Sequence, residues 1–128
     1  MGLVKGKNTK PEILLRKKLH SLGFRFRIHD RKLPGNPDIK LTKYKTVIFI
    51  NGCFWHAHLN CKYYTVPKTN QEFWFDKIKT NVNRDSKNYE ELKKRGWNVL
   101  VIWTCSFKKK LLDELIVDIT QKIINFNN

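Results

Sequence analysis

The sequence has no apolar run long enough to cross a bilayer, and residues 1–10 lack the apolar core of a secretory signal. We therefore expect a cytoplasmic protein with no membrane contact. Internal repeats, low-complexity segments and linkers are lacking as well. Because 128 residues without such breaks is the size of one domain, we predict a flexible basic arm over 1–8 and a single folded domain over 9–128.

Acidic residues are scarce. The chain has 11 Asp and Glu against 26 Lys and Arg, which gives a formal charge of +15. A polyanion that binds such a surface releases its counterions, so the imbalance favours a nucleic-acid partner over a protein that is merely basic. Aromatic residues make up 12% of the chain, and exposed rings can stack on bases.

Only three cysteines are present, and a reducing cytoplasm would keep them as thiols or metal ligands. Two of them, Cys53 and Cys61, flank His56 and His58. Together with Cys105 and one of these histidines they would make a closed tetrahedral site, the kind that holds structural zinc. The spacing does not choose between the two histidines, and three ordinary buried thiols are the alternative.

The hydrophobic pattern predicts an α/β chain. Apolar residues at helical spacing predict helices over 9–22, 69–95 and 112–123, and Ser/Thr-x-x-Glu capping boxes at 9–12 and 69–72 start the first two. Strands are predicted over 24–28, 38–41, 46–50 and 97–103, the last two central because they are apolar on both faces. Strand, helix and strand form a βαβ unit, so 46–51 and 97–103 should lie parallel. Their carboxyl ends then share one edge, which would bring Cys53 near Cys105.

Three acidic residues are candidates for chemistry. Asp38 follows a loop rich in Pro and Gly, where it could equally be a turn former. Asp85 interrupts an apolar stripe of the second predicted helix, so it needs a partner. The apolar members of that stripe are Trp74, Ile78, Val82, Tyr89 and Leu92. A histidine partner would suit proton transfer, and a local salt bridge is the alternative. Glu12 fits a capping box with Thr9, which would by itself explain it.

The aromatic residues divide between core and surface. Phe54 and Trp55 lie in a loop rich in polar residues, where stacking on bases or wedging between them would explain their presence. Trp74 stands near the start of a predicted helix and suits either role. Trp97 and Trp103 flank a predicted central strand, so we expect them in the core.

Six short motifs, in unbroken order, together resemble the very-short-patch repair (Vsr) DNA mismatch endonucleases. They are PGNPD at 34–38, VIFINGCFWH at 47–56, EFW at 72–74, KTNVNRD at 79–85, GW at 96–97 and WTC at 103–105. The resemblance implies a restriction-endonuclease-like α/β fold, with a central mixed β-sheet flanked by helices and a structural zinc site. It implies a monomer that nicks one strand of double-stranded DNA beside a T:G mismatch, with Mg2+ as the catalytic metal and mismatch-repair proteins as candidate partners.

The resemblance also implies roles for individual residues. Asp38 would bind Mg2+ with the backbone carbonyl of Ile50, and Glu12 would lie in the outer shell of that metal. His56 would act on water or phosphate, supported by Asp85. Structural zinc would be bound by Cys53, His58, Cys61 and Cys105. The aromatic wedge that opens the base stack next to the mismatch would consist of Phe54, Trp55 and Trp74.

Two positions depart from the best-known type of the family. Ile50 and Asn51 stand where that type has Thr and His, so Asn51 removes one imidazole from the catalytic set and leaves more of the proton transfer to His56. The alternatives are a restriction-type enzyme of the same fold that cuts intact duplex, and a zinc-stapled DNA-binding module without catalysis.

Overall fold

The computed structural model describes residues 10–52, 68–109 and 112–126. Its elements are α1 Lys10–Ser21, β1 Arg27–Ile28, β2 Ile39–Leu41, a single 3-10 turn Thr42–Tyr44, β3 Thr46–Asn51, α2 Gln71–Lys94, β4 Asn98–Trp103, α3 Ser106–Lys109 and α4 Leu112–Asn125. The predicted arm over 1–8 falls outside these residues, and the single domain over 9–128 stays a prediction. None of the described helices is both long and apolar enough to cross a membrane.

The four strands form one mixed sheet in the order β1-β2-β3-β4. β2 pairs antiparallel with both β1 and β3, whereas β3 and β4 are parallel, from Thr46 opposite Asn98 to Asn51 opposite Trp103. The predicted parallel pairing is therefore confirmed. Helices pack against both faces of this sheet, as expected for the predicted α/β class.

Two hydrophobic clusters attach the helices to opposite faces. Because successive strand residues point to opposite faces, Ile48 of β3 packs with α1 and α4, whereas Val47 and Phe49 pack on the other side with Leu92 of α2 and with Trp97. Buried members of the first cluster also include Leu15, Leu19, Ile39, Leu41, Ile102, Leu115, Ile116 and Ile119. β3 is buried along almost its whole length, which confirms the prediction from its two apolar faces.

β4 does not take the central place predicted for it. In the described sheet it is an edge strand, and Ile102 is its one buried residue. Its sequence is apolar because Val99 packs on one face and Leu100 on the other. An apolar run therefore indicates that both faces are covered, but it does not require a strand on each side. Trp103 is correspondingly half-buried, whereas Trp97 is in the core as predicted.

The first strand is shorter than predicted. β1 pairs with β2 only through Arg27 and Ile28, although β2 has three residues. Phe24 lies outside the ladder and is buried, with its ring 5.4 Å from that of Tyr44 in an edge-on contact. The alternating pattern of this segment thus reflects burial more than strand pairing.

The long helix α2 differs from the prediction at two places. Its N-cap is Asn70, which has a left-handed backbone (φ 57°) and makes no side-chain capping bond, so the capping box predicted at 69–72 is wrong. A capping box needs an extended N-cap residue. Further along, the predicted apolar stripe is buried at Ile78 and Leu92 but fails at Val82, which is exposed while Asn81 is buried instead. Tyr89 and Leu92 pack with the second cluster, so the predicted stripe is wrong at one position only.

Candidate active site

A cleft of about 590 Å³ opens where β3 ends. Its walls come from three stretches that are distant in sequence: the loop between β1 and β2, the end of β3, and the middle of α2. The lining residues are His29, Arg31, Gly35, Asn36, Asp38, Phe49, Ile50, Asn51, Arg84, Asp85, Asn88 and Tyr89. The fold therefore brings together four residues that the sequence marked for catalysis or metal binding, namely Asp38, Ile50, Asn51 and Asp85.

Asp38 is fixed to the neighbouring strands through both its backbone and its side chain. Its N–H donates to the carbonyl of Ile48 (3.0 Å), and its Oδ2 accepts the backbone N–H of Ile50 (2.7 Å). The N–H and C=O of a strand residue point to the same side, so the Ile50 carbonyl also faces the side where Asp38 lies. The carbonyl of Asn51 faces the opposite way, since it accepts the N–H of Thr104 (3.0 Å). This arrangement gives Asp38 and Ile50 oxygens that face a common space.

Glu12 reaches the same region from the first turn of α1. Its side chain is only 2% exposed, and its Oε2 lies 2.5 Å from Nε2 of His29 in a hydrogen bond in which the carboxylate accepts. One oxygen each from Glu12 and Asp38 and one ring nitrogen of His29 lie within 4.8 Å of one another. Two carboxylates and an imidazole at this separation could hold a metal ion. The capping partner Thr9 is not among the described residues, so that role of Glu12 is untested.

His29 is the member of this cluster that sequence reasoning missed. It directly follows β1, and its backbone N–H donates to the carbonyl of Asp38 (3.2 Å). Antiparallel pairing of β1 with β2 places the end of one strand beside the start of the next. The sequence does place a histidine at the end of one predicted strand and an acid at the start of the next. This signal becomes informative only once the two strands are known to pair antiparallel.

Asn51 is held by Tyr89, which sequence reasoning assigned only to an apolar helix stripe. The buried Asn51 donates from Nδ2 to the Tyr89 hydroxyl (2.8 Å), and the tyrosine ring packs 5.0 Å from Phe49. Burial raises the pKa of Tyr89 to about 12. The hydrogen bond from Asn51 lowers this pKa, whereas the negative charges of Asp85 and Asp38 raise it further. The hydroxyl therefore keeps its proton at neutral pH and can donate it into the cleft.

Asp85 is half-buried on the α2 wall. Arg84 Nη2 lies 3.6 Å from its Oδ1, so the local ion pair that the sequence left open as an alternative is present. The other proposed partner, His56, lies in a part of the chain that the structure does not describe. The side chain of Arg84 is 56% exposed, and Arg31 lines the opposite wall, so two guanidinium groups border the acidic cluster.

A second, more open hollow of about 840 Å³ follows the outer side of β1. It is bordered by basic side chains, which are Arg16, Arg27, Lys32 and Lys40. Its one acid, Asp30, is bound to Lys40 (2.8 Å), and that hydrogen bond lowers the pKa of the Asp30 carboxyl. A basic hollow with a neutralised acid suits contact with a phosphate backbone, whereas the acidic cleft suits chemistry.

Several predicted residues lie outside the described ranges, so their places are untested. These are the zinc ligands Cys53, His58 and Cys61, the active-site His56, and the wedge residues Phe54 and Trp55. Cys105 is described: it is 2% exposed, beside Trp103, just past the end of β4. Trp74 is half-buried on the first turn of α2, with its ring 5.1 Å from that of Phe73, which is 59% exposed.

The chain has clear relatives among known proteins. Residues 1–63 match the family model described as DNA mismatch endonuclease Vsr. Over 109 residues the chain is 50% identical to the type II nicking enzyme V.NmeAIP of Neisseria meningitidis, an alignment that covers 85% of this chain and 77% of that protein. Over 120 residues it is 40% identical to the DNA mismatch endonuclease Vsr of Escherichia coli, covering 92% of this chain and 76% of that protein. The chain belongs to the Vsr family.

As a member of the Vsr family, the chain is a DNA endonuclease. A further relative, the type II nicking enzyme V.XorIIP of Xanthomonas oryzae, is 44% identical over 105 residues, which is 82% of this chain and 76% of that protein. The segment that matches the Vsr family model contains Glu12, His29 and Asp38. All three residues of the cluster therefore lie within the segment that matches the family model.

Proposed function

We propose that this protein nicks one strand of double-stranded DNA beside a T:G mismatch, the lesion left by deamination of 5-methylcytosine, in a Mg2+-dependent reaction. The observation that carries the proposal is the meeting of Asp38, Glu12 and the backbone of Ile50 at one end of the sheet in a Vsr-family chain. The mixed sheet with helices on both faces is consistent with a restriction-endonuclease-like fold.

The donor set fits a hard divalent cation. Carboxylate and carbonyl oxygens are the ligands that Mg2+ takes in proteins, and Asp38 and Ile50 offer both kinds, with Glu12 within reach for its outer shell. When bound there, Mg2+ would supply Lewis-acid polarisation of a phosphodiester and neutralise charge that develops on it. The Ile50 N–H, at 2.7 Å, holds the Asp38 carboxylate in one orientation, which would fix the position of this ligand.

Other residues are proposed to act on the phosphodiester and on the attacking water. We assign proton transfer at the attacking water to His56, with Asp85 as its support. Asn51 cannot act as a general acid or base at neutral pH, so its role is to hold the Tyr89 hydroxyl, which can donate to a phosphate oxygen. Arg31 and Arg84 border the cleft as cations that would attract the phosphate.

Mismatch selectivity would come from aromatic side chains. We assign Phe54, Trp55 and Trp74 to a wedge that enters the stack beside the mismatch. A mismatched base pair costs less free energy to unstack than a matched pair. Such a wedge would therefore enter the duplex preferentially at a mismatch. The partly exposed Trp74 at the start of α2 supports this assignment.

We also propose that Cys53, His58, Cys61 and Cys105 bind structural zinc. Cys105 supports this because it is buried beyond the end of β4, and β4 is the parallel neighbour of β3, which leads to Cys53. Protein purified without chelator should contain about one zinc per chain, and Cys105→Ala should lose it. Elemental analysis that found no zinc in the unsubstituted protein would contradict the assignment.

The proposed activity is tested with strand-labelled duplexes on a denaturing gel. One duplex carries a single T:G pair and the other is fully paired, and each is incubated with Mg2+ or with EDTA. We expect a nick in one strand beside the mismatch, no nick in the paired duplex, and no nick in EDTA. Equal cutting of the paired duplex would instead support a restriction-type enzyme. Tight binding without cleavage in any divalent metal would leave only a DNA-binding module.

A further inference from the structure

We propose that His29 is a third metal-binding residue of the cleft, and that its imidazole makes the site prefer a first-row transition ion such as Mn2+ to Mg2+. The inference deepens the proposed function and uses the same site. Residue spacing alone does not single out His29; its position in the folded chain does.

The geometry brings three candidate ligand atoms of two chemical types to one point. A ring nitrogen of His29 and oxygens of Glu12 and Asp38 lie within 4.8 Å of one another. Ligand atoms around a six-coordinate ion with bonds of roughly 2.1 Å stand about 3 to 4.2 Å apart, so small rotations of these side chains would close the site. His29 is only 15% exposed and Glu12 2%, so both are already shielded from bulk water.

The backbone at His29 is arranged to keep the imidazole there. The backbone of His29 has a positive φ of 49°, a left-handed conformation that residues other than Gly rarely adopt. It is held in this conformation by its N–H bond to the carbonyl of Asp38 (3.2 Å). Residues in sparsely populated backbone regions cluster at functional sites, where the surrounding structure fixes them. One residue thus ties its backbone to one carboxylate residue and its side chain to the other.

Nitrogen in the ligand set changes which ion is preferred. Mg2+ takes oxygen ligands, whereas imidazole suits first-row transition ions; Mn2+ also binds oxygen ligands, but it accepts an imidazole nitrogen more readily than Mg2+ does. The Nε2 of His29 lies 2.5 Å from Oε2 of Glu12. The competing interpretation is that His29 only orients Glu12 through this hydrogen bond, in which case the identity of the metal would not matter.

His29→Gln separates these two interpretations. Glutamine keeps an N–H donor that can bond Glu12 but is a poor ligand for a transition ion. Mn2+ binding to the zinc-loaded full chain, without DNA, is followed by the loss of the paramagnetic resonance signal of free Mn2+, and Mg2+ affinity is obtained by competition. Asp38→Asn defines how much of the bound Mn2+ occupies the cleft. We expect His29→Gln to weaken Mn2+ binding by about 10- to 100-fold and Mg2+ binding by less than about 3-fold.

Equal Mn2+ affinity in the His29→Gln and unsubstituted proteins would overturn the proposal, as would an equal loss of Mn2+ and Mg2+. If the variant fails to fold, the unsubstituted protein decides: bound Mn2+ should show nitrogen hyperfine modulation in pulsed resonance, and its absence would also overturn the proposal. Because these measurements use no DNA, they fail independently of the proposed function. A protein that binds Mn2+ through His29 but nicks no DNA contradicts only the function.

Discussion

Asp38→Asn is expected to lower the rate of nicking at a T:G mismatch by about 10³-fold or more, which corresponds to roughly 4 kcal/mol in the barrier. The substitution removes a negative charge and a metal ligand but keeps the size of the side chain. The asparagine Oδ1 can still accept the Ile50 N–H that now bonds Asp38 at 2.7 Å, so the fold should be preserved. Single-turnover nicking measures the rate, and DNA binding in EDTA should remain within about twofold of the unsubstituted protein.

Asp30→Asn is the matched control for this experiment. Asp30 belongs to the same loop between β1 and β2, but it lines the basic hollow and pairs with Lys40. Its removal makes the same chemical change outside the cleft, so we expect nicking close to that of the unsubstituted protein. Should Asp38→Asn nick as fast as Asp30→Asn, Asp38 would not be the metal-binding residue.

Gly35→Ala is expected to lower the free energy of unfolding by about 2 to 4 kcal/mol, the sum of backbone strain and overpacking. Gly35 lines the cleft and has a φ of +80°, which a side chain tolerates poorly. An added Cβ would lie 3.0 Å from Cε1 of Phe49 and 3.2 Å from Cβ of Asn88. Because Phe49 packs against Tyr89, the displacement should also disturb the hydroxyl that Asn51 holds and slow nicking.

Gly23→Ala isolates the backbone contribution. Gly23 has a similar φ of +95°, but nothing lies within 4 Å of a Cβ added there. It should therefore lose only about 1 to 2 kcal/mol, and its nicking rate should not change. Urea denaturation of both variants measures the difference. An equal loss in the two variants would mean that the contacts of Gly35 with Phe49 and Asn88 do not matter.

Local periodicity was enough to locate most elements of the described fold. Apolar spacing predicted α1 and α4, and the run through β3 predicted a strand covered on both faces. The βαβ order predicted that β3 and β4 would be parallel. These features depend on which face of an element is apolar and on the handedness of chain connections, and both can be read from the sequence.

The wrong predictions concern features that depend on neighbouring parts of the fold and not on the local sequence. The apolar sequence of β4 gave no sign that it would be an edge strand of the described sheet, because cover by helices and pairing by strands leave the same pattern. At the start of α2, the N-cap is Asn70 with a left-handed backbone, whereas the motif at 69–72 predicts Thr69 as the cap.

The sequence by itself determined the family, the basic charge and the acids that carry the proposed chemistry, because the motif around Asp38 and the family-matching segment are local in the chain. Only the tertiary structure decided which side chains meet those acids. His29 lies 17 positions from Glu12, and Tyr89 lies 38 from Asn51, yet both pairs are in hydrogen-bond contact. Strand pairing and helix packing set such contacts, and no periodicity within one element records them.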